Sequence, residues 1–134
     1  MVKTRQHGKY NSVIFMSTSK QPGKQRKALY TAKLHKKQKL LRATLSDELR
    51  EAYKSRAAGL RKGDKVKVMR GDFRGHEGAV EKVSLRNGRV HVSGVVKKKA
   101  SGMERFYPLH PSNLMIIKFD LKDERRRKTL ERQE

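Results

Sequence analysis

From Gly63 the chain takes on a period of two, with Val66 and Val68 alternating with Lys65 and Lys67, which predicts a strand with one buried face. A second strand is predicted over Ala79 to Leu85. Its apolar positions Val80, Val83 and Leu85 break strict alternation, so a bulge or strong coiling is needed if all three face inward. Asn87-Gly88, between Arg86 and Arg89, predicts a two-residue hairpin turn whose central positions both take positive φ. The next strand is Val90 to Ser93. After Gly94, Val95-Val96 leads into Lys97-Lys98-Lys99, and Ala100-Ser101-Gly102 turns the chain back to Glu104-Arg105-Phe106-Tyr107, a second hairpin with an exposed basic limb. His110 to Asn113 makes a turn, and Leu114 to Phe119 is apolar on both parities, as expected of a closing strand covered on both sides. Five short strands in so small a span predict a small barrel over residues 60–120.

The flanks read differently. Residues 1–19 carry no periodicity beyond an apolar knot at Val13 to Met16, and are expected to be an irregular basic arm. Residues 20–59 form a basic extension with two short helices. The first starts at Pro22, suited to a first turn, and runs to Tyr30. In the second, Ser46 is the N-cap, Asp47 and Glu48 follow in the first turn, Leu49, Ala52 and Tyr53 recur at helical spacing, and Gly59 ends the segment; this helix is expected to pack on the barrel. Residues 121–134 start acidic and continue Arg125-Arg126-Arg127-Lys128. That order suits a helix dipole but offers almost no apolar face, so the tail is expected to be a frayed helix that firms up on a partner.

Charge identifies the partner. The 134 residues carry 35 Lys plus Arg against 13 Asp plus Glu, a formal net charge of +22, and such an excess needs a polyanion nearby. No acid precedes Asp47, whereas that stretch holds Lys3, Arg5, Lys9, Lys20, Lys24, Arg26, Lys27, Lys33, Lys36, Lys37, Lys39 and Arg42. A solvated arm would have no folding reason to collect cations that repel one another, which points to phosphate. An acidic membrane surface fits less well, because the arm has no continuous amphipathic face. Apolar runs reach only four residues, too short for a membrane span or a signal-peptide core. The absence of cysteine favours a reducing compartment, the cytoplasm.

Candidate chemistry sits between the first two strands, in Val68-Met69-Arg70-Gly71-Asp72-Phe73-Arg74-Gly75-His76-Glu77-Gly78-Ala79-Val80. Gly71, Gly75 and Gly78 make a compact loop with little side-chain bulk, which lets another backbone come close. Arg70, Arg74 and His76 on its rim can meet phosphates. Phe73 is either a core plug, favoured because small barrels need aromatic filling, or a stacking surface for an unpaired base. Catalysis finds no support. His7, His35, His76, His91 and His110 show no ligand pairing, which leaves no metal or cofactor site, and Glu77 and Glu81 lie on one exposed strand face where they balance nearby cations. Gly78 is followed by Ala79-Val80 and a strand, not by Lys, Ser or Thr and a helix, so the loop is not one that cradles a small nucleotide substrate.

That run resembles the KOW motif, which opens an SH3-like barrel and whose central glycine corresponds to Gly78. The likeness extends to Lys20 to Tyr30, Leu34-His35-Lys36, Leu45 to Arg50 and His110 to Asn113, blocks similar to the archaeal and eukaryotic form of the large-subunit ribosomal protein twenty-four family, and it spans roughly residues 19–122. The resemblance implies a mainly β protein, an SH3-like KOW barrel with a basic N-terminal arm and a basic helical tail. It implies a structural role, binding large-subunit rRNA early in assembly and near the exit of the peptide tunnel, beside neighbouring large-subunit proteins. The RNA-binding set then comprises the arm cations with His35, the loop residues Arg70, Gly71, Arg74, Gly75, His76 and Gly78, the limb Lys97, Lys98 and Lys99, and the tail Arg125, Arg126 and Arg127. A valine at Gly78 is expected to damage the loop. Two departures stand out. Met16-Ser17-Thr18-Ser19-Lys20 looks like a conventional start, so Met16 is expected to be the native first residue, and Lys33 stands where the archaeal pattern often has proline. The rivals are a KOW-type transcription elongation factor, whose additional α/β domain is too large and too weakly charged to be the stretch before residue 60, and an RNA chaperone.

Overall fold

The structure, a computed structural model, describes residues 18–132 and divides into two compact units, Met1–Leu40 and Leu41–Glu134. In the first, Pro22 opens helix α1 (Pro22–Thr31), and the Gln25 amide donates to the Gln21 carbonyl at 3.1 Å. Ala32 is extended, with φ −60° and ψ 138°, and this breaks the helix beside Lys33. The carbonyl of Lys33 then accepts from Lys36 and Lys37 to start helix α2 (Leu34–Leu40). Neither helix has a buried residue. The apolar knot at Val13 to Met16 lies outside the described residues.

The second unit holds β1 (Arg42–Leu45), α3 (Asp47–Tyr53), β2 (Ala57–Gly59), β3 (Lys65–Val68), β4 (Glu77–Ser84), β5 (Arg89–Val92), β6 (Val96–Lys98), β7 (Glu104–Phe106), a 3-10 turn (Pro111–Asn113), β8 (Leu114–Lys118) and α4 (Glu124–Glu131). Six strands make one mixed sheet in the order β2-β1-β8-β3-β4-β5, with β1 and β8 parallel and the other pairs antiparallel. The alternation on β3 works as predicted: Val66 and Val68 are fully buried, as are Val90 and Val92 on β5 and Leu114 and Ile116 on β8. The bulge expected between Val80 and Val83 is present as a register shift between Val80 and Lys82 against β5. α3 packs on this core through Leu49 and Tyr53, whose ring meets Phe119 edge-on at 5.5 Å.

Several expectations are corrected. The described strands do not close into a barrel of five: β6 and β7 pair with each other as a separate ribbon, and the β5 edge meets the chain beyond them only at Val90 and Leu109, which exchange two backbone hydrogen bonds of 2.9 Å. The ribbon's strands bury no residue, which leaves nothing to pull it into the sheet. The extension over 20–59 holds three helices, not two, and contributes β1 and β2 to the sheet. α3 stops at Tyr53, with Lys54 in the left-handed conformation at φ 45°, rather than at Gly59. The Asn87-Gly88 turn is not a two-residue turn. Ser84 pairs with Arg89, so four residues connect the strands, and only Gly88 among them has positive φ. A two-residue turn would set Arg86 directly opposite Arg89, a like-charge pair. On β8 one face is fully buried and the other, Met115 and Ile117, half-buried.

The tail is the largest correction. Asp123 caps α4 by accepting from the Arg125 amide at 2.9 Å, and the helix buries both Leu130 and Arg126. It therefore has an inward face after all, made by two residues four positions apart, through which it docks on the rest of the second unit.

Candidate nucleic-acid interface

The glycine loop is built from the ends of β3 and β4. Val68 donates to the His76 carbonyl at 2.8 Å and accepts from Gly75 at 2.8 Å, which clamps its base, while Arg74 to Gly71 (3.1 Å) and Met69 to Asn113 (2.7 Å) hold its crown. Gly71 and Gly75, at φ 98° and 87°, occupy the region that only glycine enters freely. Arg70 and Arg74 are exposed on the crown. Phe73 is half-buried against the core, its ring 5.5 Å from that of Tyr107, which is the plug position. The other two loop candidates serve the fold. His76 is half-buried and its Nε2 donates to the Ser93 carbonyl at 2.9 Å. Gly78 lies in strand β4, not in the loop, where a Cβ would stand 2.6 Å from the Ser93 carbonyl oxygen.

Arg126 is likewise turned inward. Its two terminal nitrogens donate to both carboxylate oxygens of fully buried Asp64, at 2.5 and 2.7 Å, and to the carbonyls of Asp120 and Gly59; its guanidinium lies 4.9 Å from the centre of the Phe119 ring. A charge so enclosed is held as a structural pair and has no face left for phosphate. Its neighbours Arg125 and Arg127 are exposed.

The remaining cations sit on surfaces. Lys97, Lys98 and Lys99 are exposed along β6 and its turn, with Lys98 3.8 Å from Glu104. Arg42 is exposed on β1 and donates to the Ala57 carbonyl at 2.7 Å. In the first unit Lys20, Lys24, Arg26, Lys27, Lys33, His35, Lys36 and Lys39 are exposed and Lys37 is half-buried. Lys3, Arg5 and Lys9 lie outside the described residues.

Two concave surfaces contain residues that sequence reasoning missed. One, of about 400 Å³, lies between the glycine loop and the segment from Tyr107 to Asn113 and includes Arg70, Phe73, Arg89 and His110. The other, of about 780 Å³, lies along the ribbon and includes Arg89, His91, Arg105 and Phe106. Arg89 and His91 could have been found: they alternate with Val90 and Val92 and so must face outward. Arg105 and Phe106 could not, since all three residues of β7 are exposed. Partial desolvation and the nearby Arg89 guanidinium hold the His110 imidazole below its ordinary pKa. Both effects favour the neutral ring, whose Nδ1 accepts from the Ser112 amide at 3.2 Å. Among the described residues no cluster could hold a metal ion, and no helix is long and apolar enough to cross a membrane.

The second unit is mainly β and carries an excess of cations on its exposed loops, ribbon and edges, and it is joined in sequence to helices that bury nothing, a distribution of charge suited to a polyanionic surface. The sequence from residue 19 to 133 matches the model of a family described as the ribosomal proteins called L26 in eukaryotes and L24 in archaea, and the chain belongs to that family. It is 52% identical over 114 residues to the large ribosomal subunit protein uL24 of Methanosphaera stadtmanae, covering 85% of this chain and 97% of that one. The protein of the same name from Methanosarcina barkeri is 51% identical over 114 residues, covering 85% and 98%.

Proposed function

We propose that this chain is a non-catalytic structural constituent of the large ribosomal subunit in the cytoplasm. There it binds large-subunit rRNA, early in assembly and near the exit of the peptide tunnel, beside neighbouring large-subunit proteins. The observation that carries the reading is the first unit, where helices α1 and α2 bury no residue and their sequence contains no acid. Helices this short gain too little from their own hydrogen bonds to persist alone, so a surface that neutralises their cations must complete them. The antiparallel run β3-β4-β5 with the Val90 to Leu109 bridge supports reading residues 60–120 as an open, SH3-like KOW fold, which presents Arg70 and Arg74 to the RNA.

Sedimentation of cell extract tests the assignment. Co-migration with large subunits through a high-salt wash supports it, whereas co-migration with RNA polymerase supports the elongation-factor rival and overturns it. At the level of single contacts the load is shared. Lys27→Ala is expected to lower affinity modestly and to flatten the dependence of log affinity on log salt by about 0.7 to 0.9, as one phosphate contact is lost. An unchanged slope, measured by salt titration, removes Lys27 from the interface.

A further inference from the structure

We infer that the surface from the glycine loop to the β6-β7 ribbon is a track for an unpaired RNA strand, with Phe106 as the stacking platform for a base. The inference rests on the RNA reading above and narrows it from charge to strand form. Its starting point is continuity: the two concave surfaces share Arg89, Tyr107 and Pro108, so they are neighbouring compartments on either side of one wall. Burial of Val90 and Val92 on the inner face of β5 fixes Arg89 on the outer face, where it borders both compartments. A phosphate lying over that wall would meet Arg89, with further cations on each side, Arg70 in the smaller compartment and Lys97, Lys99 and Arg105 in the larger. Asp72 is the single acid among the residues lining the two.

Charge alone would serve a duplex equally well, and the aromatic ring is what discriminates. Phe106 leaves 45% of its surface exposed while lying in the wall of a strongly cationic groove, with its ring edge-on to His91 at 6.3 Å. A folded RNA duplex keeps its bases stacked inside and offers such a ring only backbone and a shallow groove, so the wetted apolar face would stay unused. An unpaired strand supplies a base for that face and phosphates for the cations at the same time. A second protein would have to bring dense negative charge together with an apolar knob, a less economical match to the same wall.

Anisotropy titrations of the full chain with fluorescein-labelled oligouridylate and with a blunt RNA duplex of equal length test the proposal. Phe106→Ala is expected to weaken binding of the single strand by about 5- to 150-fold, the range for loss of one base stack, and to leave duplex binding unchanged, while Phe106→Tyr retains both. Phe106 is an exposed side chain, and circular dichroism of the variant is expected to match the parent. Equal weakening of strand and duplex overturns the track. So does an unchanged affinity for both, which would assign the exposed ring to a protein neighbour. Failure of the parent chain to bind either RNA is a different result, and sinks the RNA reading itself.

Discussion

Asp64→Ala is expected to destabilise the second unit by about 3 to 5 kcal/mol, because it leaves the Arg126 guanidinium buried without its counter-charge. For a unit of this size that is a fall of tens of degrees in the melting temperature, followed by circular dichroism. The carboxylate does more than pair with Arg126. It also accepts from the backbone amides of Arg61, at 2.8 Å, and Asp120, at 3.0 Å, so it ties the entry to β3, the exit from β8 and the helix α4 to one point. Arg126→Met removes only the charged partner and keeps the stem that packs by Phe119, so its cost should be smaller than that of Asp64→Ala. The double variant should lose clearly less than the sum of the two, since neither charge is then left alone. Strict additivity would show that the pair contributes nothing as a pair. Arg125→Ala, one residue away and exposed, should leave the melting temperature within the small range of surface changes.

This pair also shows where sequence reading ran out. The arm's cationic character was legible because sequence displays the sign of charge directly. Arg126 stands in a run of three arginines, and nothing local separates it from Arg125 and Arg127; the partner that buries it lies 62 positions earlier. The four-residue step from Arg126 to Leu130 was the available signal for an inward face, and it is weak when only one of the two is apolar. Strands β1 and β2 escaped for a related reason. Ala57-Ala58-Gly59 has poor intrinsic preference for a strand, and Arg42 to Leu45 is a strand through its parallel pairing with β8, with Thr44 opposite Met115. By contrast, β3 and β5 carry their own alternation of valines, and the Val80 to Val83 irregularity announced the bulge. The second cationic compartment combines β5 with the ribbon, and only the folded hairpins bring Arg89 alongside Phe106.

Gly78→Ala is expected to lower stability by about 1 to 3 kcal/mol, in the range of overpacked sites, and Gly78→Val by more. Backbone strain is not the reason, since Gly78 is not among the glycines with positive φ. The obstacle is the neighbouring chain: a Cβ would lie 2.6 Å from the Ser93 carbonyl oxygen and 2.9 Å from a methyl of buried Val92. Ser93 cannot simply retreat. Its amide donates to the Ala79 carbonyl at 2.9 Å, its Oγ accepts from the Ala79 amide at 3.0 Å, and its carbonyl accepts from His76, so displacing it loosens the β4-β5 crossing and the base of the glycine loop together. Gly71→Ala provides the control within the same motif. There a Cβ meets open space, and the cost is conformational alone, from φ 98°. Urea unfolding of both variants, with RNA affinity measured well below the transition, separates two roles that the motif had merged. If Gly78 acts through the fold, Gly78→Ala shifts the unfolding midpoint while the folded protein keeps its RNA affinity. A variant with an unshifted midpoint and weakened RNA binding would instead return Gly78 to the interface.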